Sequence, residues 1–238
     1  MGLKLVKGEG KMGLFDKVMS SANGTVSQPY VGGLDMTLKP EWTQDRRIQL
    51  ADPAPESLEE LKAVCDVHDP GNVAAYWVYS VMCLTADYDI GMSMMKYLFA
   101  DIEPFGRGFT EGGGAGRAGW DPYFNERLKD DDYRWLPRAY FDGSVASNGF
   151  HPVQPLAVNL HFNKPNTDTI NGQTLKQLGR LNIVYYVRSN AAGFQNNIEL
   201  SRFDGSDRFY VTKGTASTGL FYDQRAGLTA EARSKLWS

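Results

Sequence analysis

Apolar residues recur along this chain with two different periods. Over residues 58–99 they fall at helical spacing, and over residues 156–211 they alternate with polar ones. Ser57-Leu-Glu-Glu60 opens the first helix as a capping box, in which Ser57 accepts from an orphan backbone N–H and Glu60 reaches back. Leu58, Leu61, Val64 and Cys65 then share one face. Asp69-Pro-Gly71 breaks this helix, and Asn72 is placed to cap the next. Residues 73–84 are apolar nearly all round, the pattern of a helix buried in the middle of a domain. After a polar corner at 87–89, residues 90–100 predict another helix with Ile90, Met94, Met95, Leu98 and Phe99 on its apolar face. Residues 121–129 predict a short further helix, with Asp121 at its N-cap and Pro122 at its first position. The first three, joined by short turns, pack as antiparallel neighbours, and with the last the helical part has about three to four helices.

Beyond Pro155 the period becomes two. Residues 156–162 alternate, and 164–177 are polar and turn-rich. Residues 179–188 carry Leu181, Ile183 and Tyr185 on one face and Val184 and Tyr186 on the other. Residues 197–203 and 208–212 predict two strands around an Asp204-Gly-Ser-Asp207 turn, with a last edge at 220–222. Helices first and strands after predict an α+β fold: a helical part packed on an antiparallel sheet of about four to five strands. Upstream, residues 14–22 have a helical pattern, 23–33 read as loop, 34–38 as a short strand, and 40–55 as polar and irregular. The resulting division is a translated leader over 1–11, with Met12 as the native start, and an N-terminal arm over 12–56. An α+β domain over 57–228 follows, its helical half 57–134 and its strand half 135–228. A C-terminal tail, 229–238, holds a short polar helix.

A chain of 238 residues buries a sizeable core, and its 42% apolar and 22% charged residues are ordinary for a globular protein. The net charge of -3 removes the phosphate attraction that nucleic-acid binding depends on, so no such partner is expected. No apolar run approaches the roughly 20 residues of a membrane helix, and the N-terminus lacks a secretory apolar segment. Cys65 and Cys83 lie in apolar helical segments and read as buried reduced thiols, which suits a cytoplasmic protein.

Candidate chemistry is sparse. Gly114-Ala-Gly-Arg-Ala-Gly119 spells GxGxxG, but a dinucleotide loop needs a strand before it and a helix opening inside it, and neither pattern is there. No cofactor or metal motif is present. His68 beside Asp66 and Asp69 has metal-ligand chemistry at a helix end, yet a solvated terminus accounts for it. His161 reads as surface or rim, on the strand face opposite Val158 and Leu160. The best acid–base grouping is Arg138, Asp142 and His151 around Trp135-Leu-Pro-Arg-Ala-Tyr-Phe-Asp142, close enough in sequence to touch, although Asp142-Gly143 also reads as an ordinary turn and Arg138 as bonded to turn carbonyls in a structural junction. Tyr76, Trp77, Trp135 and Tyr140 have the residue chemistry of an apolar ligand pocket, though core packing uses the same types.

The stretch from Ser57 to Gly227 resembles an uncharacterised bacterial domain family, a domain of unknown function. The resemblance runs through the helical unit 72–99, the junction Tyr133-Arg-Trp-Leu-Pro-Arg-Ala-Tyr-Phe141, the turn Asn148-Gly-Phe-His-Pro152, Tyr185-Tyr-Val-Arg-Ser189 and a hairpin over 198–211. It implies a bacterial protein and no activity, cofactor or catalytic residue. Helices followed by a curved meander are also similar to small cone-shaped α+β folds of the nuclear-transport-factor-2-like or cystatin-like type, which host enzymes and binding modules alike. The function expected is a non-catalytic binding or interaction module, with a protein or small molecule as partner and a homo-oligomer as one form. The alternatives are a small-molecule enzyme with a pocket between helices and sheet, and a subunit of a bacterial assembly that docks through its N-terminal arm.

Overall fold

The computed structural model describes residues 38–99, 127, 129–163, 169–170, 173–174, 179–191, 195–203, 206–212 and 229–236. The leader and Met12, the elements expected over 14–37, the GxGxxG loop and the edge at 220–222 lie outside these residues, as does all but Arg127 and Lys129 of the helix expected over 121–129.

The fold is α+β. Helices α1 (Leu58–Val64), α2 (Pro70–Leu84) and α3 (Tyr88–Leu98) precede most of the sheet, and α4 (Ala230–Lys235) follows it. The strands are β1 (Arg46–Gln49), β2 (Ala157–Asn163), β3 (Thr169–Ile170), β4 (Gln173–Thr174), β5 (Arg180–Arg188), β6 (Gln195–Phe203) and β7 (Phe209–Val211). Five of them form one antiparallel sheet in the order β1-β2-β5-β6-β7, and β3 pairs with β4 in a separate hairpin.

Register decides which side chains reach the core. Ile48 stands opposite Val158, Leu160 opposite Val187, Tyr185 opposite Ile198, and Leu200 opposite Val211. All eight are buried on the inner face. Helix α2 crosses that face and touches all five strands of this sheet. Val73, Ala74, Ala75, Trp77, Val78 and Val81 are fully buried, as the apolar run requires. Helix α3 packs on α2 so closely that a Cβ at Gly91 would run into the backbone of Leu84.

The segment read as irregular, 40–55, instead supplies the edge strand. A 3-10 turn, Pro40–Trp42, buries Trp42, and β1 buries Ile48 beside β2. Arg46 fastens β1 to the helices: its Nη1 and Nη2 donate to Asp69 Oδ1 and Oδ2 at 2.5 and 2.6 Å. Asp69, not Asn72, is the N-cap of α2 and accepts from the Gly71 N–H at 2.8 Å. Asn72 accepts from the Asp66 N–H. A longer residue at Gly71 would collide with the Arg46 guanidinium. Burial alone raises the Asp69 carboxyl, but Arg46 and the helix N–H groups outweigh it and hold the group below the usual carboxylate range. At α1, Ser57 Oγ accepts from the Glu60 N–H as expected, while Glu60 reaches one residue further back, to the N–H of Glu56.

A second, smaller core closes the other end. Ala232 and Leu236 of the C-terminal segment pack against Trp135, Leu136, Ala139 and Phe150. Trp135 and Phe150 stack with centroids 4.6 Å apart.

Candidate functional site

The junction expected to carry chemistry is a 3-10 helix, Leu136–Tyr140, followed by a bridge from Phe141 to Val158. It brings Arg138 and His151 together but sends Asp142 elsewhere. Arg138 Nη1 donates to His151 Nδ1 at 3.3 Å, and Arg138 Nη2 donates to the Leu236 carbonyl at 3.0 Å. Because arginine only donates, Nδ1 is the acceptor, so His151 Nε2 carries the proton and donates to the Lys235 carbonyl at 3.0 Å. The pair therefore satisfies the orphan carbonyls at the end of α4. Asn148 holds the turn: its Nδ2 donates to Gly143 and His151 carbonyls, and its Oδ1 accepts from the Val145 N–H. Phe150, at φ 57, occupies a backbone region that side chains of its size seldom adopt, fixed by the stack on Trp135.

The four aromatic candidates pack in two separate cores. Tyr76, Trp77 and Tyr140 belong to the main core, and Trp135 to the smaller one. Tyr76 Oη accepts from the Ala51 N–H at 3.1 Å, and Tyr140 Oη accepts from Asn196 Nδ2. Trp77 lies 5.9 Å from Phe99, and Trp135 Nε1 donates to the Asp132 carbonyl. His68, Asp66 and Asp69 do not converge either, since Asp69 holds Arg46, Asp66 accepts from the His68 N–H, and the His68 ring meets the Asp207 carbonyl.

Displayed polar side chains gather instead on the outer face of the sheet, at its β1 edge. An open groove of about 270 Å³ is lined by Asp45, Arg46, Arg47, Asn159, Leu160 and His161. Two rows of side chains cross it. In the first, Asp142 accepts from Arg47 Nε at 2.6 Å and from Asn159 Nδ2. In the second, His161 Nδ1 meets Asp45 Oδ2 at 3.0 Å while its ring stacks on Tyr186 at 4.8 Å. Asp45 Oδ1 also accepts from the Phe162 N–H. The bond to His161, then that N–H, hold the Asp45 carboxyl below its usual range. His161 thus stands on the rim, as its strand position predicts. Asp45, Arg47, Asn159 and Tyr186 escaped sequence reasoning because they come from three separate strands and their flanks. The one available signal was the alternation of Ile48 and Leu50 around polar residues.

Toward β7 the same face is closed. Arg180 is 4% exposed and donates to Asn182, Ser201, Glu199 and Thr212. Burial lowers its guanidinium to about 10, against the pull of Glu199. Ser201 and Asn182 bond to each other and Asn182 to Glu199 as well, the mutual satisfaction that a buried ion pair requires.

Among the described residues, no helix is long and apolar enough to cross a membrane. No curated protein and no solved structure matches the chain. A family model described as a domain of unknown function, DUF6935, matches residues 53–226. The matched span starts after β1 and ends before α4, so the groove's edge strand and the helix capped by Arg138 and His151 come from its flanks. It does include α1 to α3 and the strands β2 to β7, and with them nearly the whole framework built above, so the chain belongs to the DUF6935 family.

Proposed function

We propose that this protein is a non-catalytic binding module of the bacterial cytoplasm, and that a protein partner contacts it along the β1 groove. The observation that carries this reading is the groove's size and openness. At about 270 Å³ it falls below the roughly 300–1,000 Å³ of enclosed small-molecule sites, and its floor is a sheet surface. The Leu50 N–H donates to the Leu156 carbonyl, so in this register Arg47 and Gln49 turn their backbone groups to the open edge, where an extended segment can lie alongside. Arginines on a four-residue edge discourage indiscriminate strand pairing and leave room for a polar, selective partner. Cys65 and Cys83 are free thiols, in keeping with a reducing compartment.

The test is affinity capture with groove variants. A partner held by the wild type and by a control altered on α1, Glu59→Gln, should be lost with Arg47→Glu and with Asn159→Arg. A partner set that is the same for all four proteins counts against the reading. A small-molecule enzyme is the second reading, favoured by the Asp45–His161 pair, which orients the imidazole as a general base is oriented. Turnover of any ester or amide substrate that His161→Ala abolishes, with the fold intact, would favour it instead.

A further inference from the structure

The charges along the β1 edge are complementary to themselves. Because Leu50 bonds to Leu156, the backbone groups of Arg47 and Gln49 point to the open edge, and Asp45 has the same parity. Asp45 and Arg47 also share the outer face of the sheet, with side chains 68% and 53% exposed, so both are within reach of a neighbour. Arg47 gives only Nε to Asp142, and among the described residues its two Nη groups carry no hydrogen bond. Each Asp45 oxygen accepts one bond, from His161 Nδ1 or from the Phe162 N–H, and keeps a second lone pair.

A second β1 laid antiparallel along this edge has few registers open to it, because outward-facing residues must oppose one another. A two-fold axis at Arg47 sets that arginine against its own copy, a destabilising like-charge pair. An axis at Ile48 or Gln49 sets Arg47 against Gln49 or Ala51, neither of which carries charge. An axis at Arg46 sets Asp45 against Arg47 of the copy, twice, so both ladder pairs are also ion pairs. Arg46 itself faces the other side of the sheet there, where its own Asp69 answers its charge.

We propose that the partner at the β1 edge is a second copy of this chain, joined antiparallel about a two-fold axis at Arg46, with two Asp45–Arg47 ion pairs setting the register. The inference rests on the reading of that edge as a binding edge, and names its occupant. Two ladder pairs make a small interface, so a weak dimer is expected, with a dissociation constant on the order of 10 μM.

The experiment is sedimentation equilibrium of the full chain at low salt, up to about 0.5 mM, well above that constant. A reversible dimer is expected. Asp45→Lys and Arg47→Glu each put like charges together twice and should weaken it at least ten-fold. Mixed in equal amounts, the two variants oppose unlike charges at both positions and should recover the dimer to within about three-fold of the wild type. A spin label in place of Gln49 leaves both charges intact and reads the register even where a charge variant fails to fold. The axis at Arg46 places the two labels about 20 Å apart, and the axis at Ile48 under about 10 Å. A short label distance overturns the proposal, as does a mixture of folded variants that stays monomeric. So does a wild type that is monomeric throughout; if the groove variants still lose a captured protein, the binding reading stands without the dimer.

Discussion

Removing the carboxylate of Asp69 should loosen the strand on which the groove is built. Arg46 and Asp69 are 19% and 24% exposed at their side chains, so the pair is neither a surface ion pair, worth about 0–1 kcal/mol, nor a fully buried one, whose breaking costs about 3–5 kcal/mol. An intermediate loss of about 2 kcal/mol is expected for Asp69→Asn, because asparagine keeps the N-cap of α2 and loses the charge and one of the two bonds from Arg46. Asp69→Ala also loses the cap, worth about 1 kcal/mol, for a total near 3 kcal/mol. Arg46→Met should cost about as much as Asp69→Asn, and the double variant little more than either, giving a coupling of about 1.5–2 kcal/mol. Urea unfolding followed by circular dichroism measures all four proteins. The pH dependence has a definite sign. The lowered Asp69 contributes stability above the ordinary carboxylate range and loses it as pH falls through its depressed value, so Arg46→Met should flatten the acid limb of the stability curve. An Asp69→Asn protein within about 0.5 kcal/mol of the wild type, or strictly additive single variants, would refute the clasp as the element that holds β1.

Other expectations follow from the same packing. Burial pushes the Cys65 thiol up to about 12 and Cys83 to about 11, so neither should react with iodoacetamide at pH 8.5 until urea is added, and stability should fall as pH rises from about 9 toward those values. Leu236→Ala removes a side chain only 1% exposed and should cost about 2–4 kcal/mol locally, seen as protease cleavage near α4 while the main core stays protected. Gly91→Ala gains up to about 1 kcal/mol of helix propensity but forces α3 away from the Leu84 backbone. The overpacking, about 1–3 kcal/mol, should win and lower the melting temperature.

Much of the fold was legible because burial and period coincide. Helix α2 reads as buried nearly all round, and all its residues but Asn72, Met82 and Cys83 are buried, while β2, β5, β6 and β7 follow the alternation in order. Strand β1 was hidden because Arg46 and Arg47 break up its apolar signal and its pairing partner lies more than 100 residues away. The Asp69 cap lost out to Asn72 in sequence because both are good caps, and only the reach of Arg46 decides between them. The junction charges show the limit most plainly. Spacing correctly put Arg138 and His151 within contact, but it carries no information about which carbonyls they meet, and those belong to α4, more than 80 residues on. Tyr76, Trp77 and Tyr140 have the same chemistry whether they line a cavity or pack a core, and only the structure shows them buried in the main core.

The most direct test of the binding reading is site-specific photocrosslinking in cells that make the protein at its native level, with a benzophenone amino acid in place of Gln49 on the exposed side of β1. The account predicts one discrete protein adduct from position 49, none from the same probe in place of Glu59 on α1, and loss of the adduct when Arg47→Glu is added. No adduct from position 49, or the same adducts from both positions, would contradict it.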